Sequence, residues 1–234
     1  MFNRVEYKKA AKAQLKGRWK IPVLSTLLIL ALMTFLSASL ASVVADKFDI
    51  RMNAAAGGFS FAVNGPKQSG IFSLLVGLIM AALFLAQKRL LYVMGTKSEP
   101  VFFSDWIDGL NQWWQAIRGA IWKGVWVWLW SLLFIIPGIV KWYSYSMMFY
   151  IMAEYPGMSA RKAMNISKEL TRGYKGDLFV TDLSFIPLAF LCLLSLGIGS
   201  LWLLPYYQMT FTNIYRALKQ TALDSKRIKI EDFN

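Results

Sequence analysis

Six apolar stretches, each long enough to enter a bilayer, cut this chain into segments that share its basic residues very unevenly. Of 26 Lys and Arg residues, 22 lie before the first stretch, about the junctions of the second with the third and the fourth with the fifth, or after the sixth. Only Lys47, Arg51, Lys67 and Lys141 fall to the alternate segments. Polytopic membrane proteins retain Lys and Arg on the cytoplasmic side. The pattern therefore predicts an all-α, polytopic membrane helix bundle with both termini inside. Its six transmembrane helices fall at 21–44, 71–94, 120–136, 139–155, 178–196 and 201–218. The first run is far longer than the roughly 7–15 apolar residues of a cleaved signal, so it reads as a retained anchor.

Three more segments, 1–20, 102–118 and 159–172, have helical apolar periodicity but carry too much charge or polarity to cross. In the first, Tyr7, Ala11 and Leu15 share a face and Lys8, Lys9, Lys12 and Lys16 share the opposite one. In the second, Phe103, Trp106, Ile107, Leu110, Trp113, Trp114 and Ile117 line up, with Ser104 as the expected N-cap. In the third, Ala160, Ala163, Met164, Ser167 and Leu170 do so. Such helices are expected in the cytoplasmic interface. Segment 45–70 reads as a flexible external loop with a short hairpin at 59–63, and 219–234 as a polar, partly disordered tail. Pro137-Gly138 reads as the turn of a tight helical hairpin; a re-entrant hairpin would have the same sidedness.

Composition enters as a filter. At 56% hydrophobic the chain is too apolar for an ordinary soluble domain. A net charge of +13 raises nucleic acid as a partner, but the basic residues flank membrane-length runs, where they fix orientation and meet anionic headgroups. There is no His, which removes His-based metal sites and His general bases. One cysteine, Cys192, forms no intrachain disulfide. No phosphate-binding loop, dinucleotide fingerprint or metalloprotease helix motif occurs, and no acidic pair is spaced for catalysis. The expectation is a non-enzyme without cofactor or metal.

Several motifs resemble one family. They are Leu133-Phe134-Ile135-Ile136-Pro137-Gly138-Ile139-Val140 followed by Tyr143-Ser144-Tyr145-Ser146-Met147, then Gly173-Tyr174-Lys175-Gly176-Asp177-Leu178-Phe179, then Gly197-Ile198-Gly199 with Leu204-Pro205-Tyr206-Tyr207. Together with Ala11-Lys12-Ala13-Gln14-Leu15-Lys16-Gly17 they resemble the bacterial integral membrane family known as domain of unknown function 975, over nearly the whole chain outside 45–70. The resemblance implies a bacterial plasma-membrane protein and brings no established activity.

Candidate functional residues are few. Lys141, expected near the outer leaflet, suits a lipid phosphate or anionic solute, or simple snorkelling. Asp182 lies within a span, where an acid is a functional hypothesis by default; its structural alternative is pairing with Arg172 or Lys175. Gln208 and Asn213 sit in the last span and would extend a polar path. Trp122, Trp126 and Trp130 recur every four residues, a stripe suited to an acyl-chain groove or to plain lipid contact. Glu154 is expected to meet Arg161 or Lys162. Small-residue stripes Thr34, Ala38, Ser42 and Ser73, Gly77, Ala81 predict packing of the first two spans on each other. The expected role is non-catalytic: binding anionic membrane lipids, or scaffolding a partner membrane protein or a second copy. The alternative is a small-solute or lipid transporter or channel.

Overall fold

The computed structural model describes residues 2–45, 49–55, 58–64, 69–97, 101–133 and 135–233, with side chains described outside 36–74 and 131–137. It is helical apart from one antiparallel hairpin, β1 (Asp49–Ala55) and β2 (Gly58–Asn64), in which Ala55 faces Gly58. That hairpin is longer than the one expected at 59–63. Among the described residues, Leu75–Thr96 and Lys175–Leu194 are long and apolar enough to cross a membrane. A third crossing arises if the bent pair Arg4–Leu15 and Lys20–Phe35, meeting at 99°, counts as one.

Helix α1 (Arg4–Leu15) starts where the Asn3 side chain accepts hydrogen bonds from the N–H groups of Val5 and Glu6, and stops before Gly17 at φ +77°. Its apolar face is the expected one, with Ala11 and Leu15 fully buried. They pack against Leu91, Met94 and Met209, so α1 is docked on protein rather than resting free in the interface. The Lys8 ammonium donates to the Ser184 carbonyl at 3.1 Å, and the Gln14 amide meets Asn213 at 2.9 Å. Helix α2 (Lys20–Ala45) packs on α3 (Ser69–Thr96) through Ile29, Met80, Leu83, Ala86 and Leu90. The predicted pairing of these two helices is present. Its described seam is aliphatic: Thr34 is exposed, open space surrounds Gly77, and Ala81 is half-buried. The side chains of Ala38, Ser42 and Ser73 lie outside the described residues.

The expected second interfacial helix is split. Helix α4 (Phe103–Leu110) ends at a turn, and α5 (Trp113–Leu133) runs unbroken into the third apolar stretch. Ser104 is not the cap; Asp105 accepts a hydrogen bond from the Phe102 N–H at 2.8 Å. The split lets each piece follow a different anchor. Gly109 of α4 lies so close to α3 that a Cβ there would stand 2.7 Å from Ala86 Cα. Gln115 of α5 donates to the carbonyls of Tyr155 and Met158 and accepts from the Gly157 N–H. Gly109→Ala should therefore force α4 off α3 and destabilise the protein by about 1–3 kcal/mol. A melting curve in detergent checks this, and an unchanged midpoint would contradict the close approach.

The fourth apolar stretch is also interrupted. Helix α6 (Ile135–Ser144) contains Pro137-Gly138 in its first turn rather than ending there; a proline at that place costs no hydrogen bond because early helical N–H groups have no internal partner. A turn follows, then α7 (Met148–Glu154). The break is stabilised from outside: the Ser144 carbonyl accepts from the hydroxyls of Ser167 on α8 (Ala160–Leu170) and of Thr171, its C-cap. Helix α7 is the hub of the largest core cluster, with Met148, Ile151 and Met152 fully buried. The chain closes with α9 (Lys175–Leu183), α10 (Ile186–Leu194) and α11 (Ser200–Asp224). The segment after α11 is not a loose tail. It turns back, buries Ile228 and Phe233, and stacks Phe233 on Tyr155 with ring centroids 4.7 Å apart.

Candidate functional site

Helices α3, α5, α6, α7, α9 and α11 surround a cavity of about 500 Å³. That is within the range of sites that take small molecules or lipid headgroups. One wall is a single face of α3, from Gly77 through Met80, Ala81 and Phe84 to Lys88. At ~1.5 Å per residue the wall is about 16 Å long, apolar at Gly77 and cationic at Lys88. Lys123 enters from α5, Trp142 and Tyr143 from α6, Phe149 and Tyr150 from α7, and Asp182 and Tyr207 from α9 and α11.

The charged groups are held in different ways. Lys88 Nζ lies 3.7 Å from the centre of the Tyr150 ring, and Lys123 Nζ lies 4.6 Å from that of Trp142 and 5.6 Å from that of Phe149. Aromatic faces attract cations by about 0.5–2 kcal/mol, which partly offsets the loss of water. Among the described residues, neither ammonium has a carboxylate oxygen within 4.0 Å or a hydrogen-bond acceptor. Asp182, by contrast, is well satisfied. The hydroxyls of Tyr143 and Tyr207 donate to its two oxygens at 2.7 and 2.8 Å. The site thus offers two available cations, a clamped anion, aromatic walls and an apolar end.

Of the residues singled out from the sequence, this cavity gathers Asp182, Gly77 and Ala81. Asp182 does not pair with Arg172 or Lys175; Arg172 is exposed and meets Glu169 at 3.6 Å. The cause is the orientation of α9, which buries Leu178 and Thr181 and turns Asp182 inward with them. Lys141 is not among the residues that line this cavity. It lies in the last turn of α6, three residues from the Ser144 carbonyl that α8 holds, with its Nζ 4.3 Å from the Trp130 ring centre. Burial, and then the positive charge of Lys141, lowers the Lys168 ammonium on α8 below its ordinary value.

The remaining candidates are elsewhere. Asn213 donates to Gln14 in a separate cleft beneath α1, and Gln208 lies on α11 with its side-chain oxygen buried and unpaired. Trp122 and Trp126 meet edge to face with centroids 6.0 Å apart and pack on the main core, so they line no groove at the cavity. Glu154 meets neither Arg161 nor Lys162. Its partners are the Tyr215 hydroxyl, within the expected span, and Lys219, which α11 brings alongside by continuing past 218.

Sequence reasoning passed over Lys88 and Lys123, counting them only as markers of sidedness. A sharper signal was available: each falls inside a predicted span, and an intramembrane cation invites a search for its counter-ion. The aromatic partners Tyr143, Tyr150 and Tyr207 carry no such signal, since tyrosines are common near interfaces.

Comparison with known proteins agrees with the resemblance read from the sequence. Residues 136–222 match the family described as protein of unknown function (DUF975). That match contains α7 to α10 and most of α6 and α11, and so Tyr143, Tyr150, Asp182 and Tyr207. No curated protein and no solved structure matches the chain.

Proposed function

We propose that this protein is a non-catalytic integral membrane protein that binds an anionic lipid in the cavity between α3, α5, α6, α7, α9 and α11. One observation carries the reading. Among the described residues, Lys88 and Lys123 stand without acid partners at one end of a cavity whose other end is apolar. An amphiphile satisfies both ends at once: its phosphate meets the two ammonium groups and its chain follows the α3 wall. In this reading six apolar segments enter a bacterial plasma membrane with both termini on the cytoplasmic side. The basic end carrying Arg18, Lys97, Lys168 and Arg216 then faces the cytoplasm, in keeping with charge retention there.

Filling the apolar end tests the proposal. A Cβ at Gly77 meets nothing within 4 Å, and Leu is a better helix former than Gly by roughly 1 kcal/mol. Gly77→Leu should fold at least as well as the parent while its side chain occupies the path of the acyl chain. Native mass spectrometry after purification in phosphatidylglycerol and mild detergent should show retained lipid falling by about tenfold. Unchanged retention would remove the cavity as the lipid site.

A further inference from the structure

The closing hairpin leaves a second opening, outside the bundle core. Helix α10 buries none of its own residues. At its foot the Phe185 ring meets the Tyr206 ring edge to face, with centroids 5.5 Å apart. At its tip Cys192 lies against Gly199, where an added Cβ would stand 2.9 Å from the Cys192 Sγ. Between these contacts is a groove of about 470 Å³, walled by Leu188, Leu191, Cys192, Trp202 and Leu203. From Gly199 to Tyr206 it follows α11 for about 10 Å, at ~1.5 Å per residue.

The mouth of this groove is basic. Lys8 fixes α1 over the foot of the hairpin: its ammonium donates to the Ser184 carbonyl and stands 3.9 Å from the centre of the Phe185 ring. Residues four apart on a helix are neighbours, so Lys12 follows Lys8 on the same side and joins Trp19 in lining the groove. Lys12 and Trp19 also line an adjoining hollow of about 440 Å³, together with Lys9, Ala13 and Lys16. Lys9, Lys12 and Lys16 are exposed. Among the described residues, none of the three has a carboxylate oxygen within 4.0 Å.

We propose that the two hollows form a second lipid site, on the outer face of the bundle, for a glycerophospholipid with an anionic headgroup. Its phosphate rests among Lys9, Lys12 and Lys16, and one acyl chain lies between α10 and α11. Charge decides the occupant. The groove alone would accept any chain, but three ammonium groups at its mouth call for an anion attached to that chain. A zwitterionic headgroup would add an ammonium to the three already there. This site shares no lining residue with the cavity that holds Lys88 and Lys123. It rests on the membrane reading and not on that cavity being filled.

The chain's single cysteine, Cys192, lines the groove and so reports its occupancy. The full chain in dodecyl maltoside is treated with N-ethylmaleimide, and the rate of thiol loss is followed by intact-mass spectrometry. Dioleoyl-phosphatidylglycerol, dioleoyl-phosphatidylcholine or soluble glycerophosphoglycerol is added in increasing amounts. Phosphatidylglycerol should halve the rate at about a tenfold lower mole fraction than phosphatidylcholine. Lys9→Gln, Lys12→Gln and Lys16→Gln combined should erase that difference. The variant keeps the same thiol, so any general effect of lipid charge on the reaction shows in both proteins. Glycerophosphoglycerol should leave the rate unchanged, and Gly77→Leu, which fills the other cavity, should be protected like the parent. Equal protection by the two lipids, protection by neither, or a difference that survives the triple substitution overturns the proposal. The parent's ratio alone decides if the triple variant fails to fold. Protection by glycerophosphoglycerol would overturn the placement of the acyl chain. Loss of protection in Gly77→Leu would overturn the independence of the two sites, whereas failure of the interior site alone leaves the Cys192 result untouched.

Discussion

Replacing Lys88 and Lys123 together by Gln should lower the affinity for anionic lipid about a hundredfold and, at the same time, raise the melting temperature of the lipid-free protein. The two effects have opposite signs for one reason. Each ammonium sits on an aromatic ring, 3.7 Å from Tyr150 or 4.6 Å from Trp142, with no carboxylate among the described residues to neutralise it. Holding two unpaired positive charges in a cavity partly shielded from water costs stability, and cation–π attraction recovers only part of it. Gln is similar in length and uncharged, so it relieves that cost. When a phosphate is bound the balance reverses, since each charge-assisted hydrogen bond contributes about 1.5–3 kcal/mol, and losing two exceeds a hundredfold even after a discount for desolvation. Thermal unfolding with and without phosphatidylglycerol measures both quantities on one sample. If the double variant melts lower without lipid, the lysines are structural pillars and the site reading is wrong.

The second large effect concerns the ion pair under the C-terminal turn. Lys219→Met should lower stability by about 3 kcal/mol, because it strands the Glu154 carboxylate in a place it tolerates only when paired. The two side chains are 17% and 14% exposed, so water does little to replace the lost partner. Lys219 Nζ also donates to the Tyr155 hydroxyl at 2.6 Å and lies 4.9 Å from the centre of the Phe233 ring. Removing it therefore loosens the returning C-terminal segment as well. The melting midpoint should fall by roughly 6–12 °C. The companion variant Glu154→Gln, which can still accept from Tyr215 and Lys219, should cost less than half as much. Equal losses would mean that packing of the methylene stem, not charge, accounts for the effect.

How much of this was legible in the sequence depends on the range of the interaction. Periodicity located α1 and α8 closely and named the buried face of α1, since an apolar stripe is a local property. The turn at the tip of α10 and α11 was visible in Gly197-Ile198-Gly199, and Gly197 indeed takes φ +85°. The break after Ser144 was not visible. It depends on hydroxyls of Ser167 and Thr171, more than twenty residues away, accepting the role of the next helical turn. The same holds for the partners of Asp182 and Glu154, which lie 25 to 65 residues distant along the chain. Nearest-charge reasoning picked Arg172 and Arg161 because they are close in sequence. Packing chose tyrosines and Lys219 because helix orientation, not proximity along the chain, decides which groups meet.

The brevity of α6 has a consequence for the solvent around it. Its ten residues rise only about 15 Å, half of a typical ~30 Å hydrocarbon layer. Lys141 ends that rise, and the hydroxyl-bound Ser144 carbonyl follows within one turn. In the six-span reading proposed above, lipids beside α6 would have to shorten or tilt their chains. Such mismatch costs fractions of a kcal/mol for each ångström, a cost borne by the bilayer rather than by the protein. On that reading the protein would travel with a dimple of thinned membrane on its α5–α6 side. Any neighbour with an equally short apolar belt would be drawn into the same dimple, without a single complementary side chain between them.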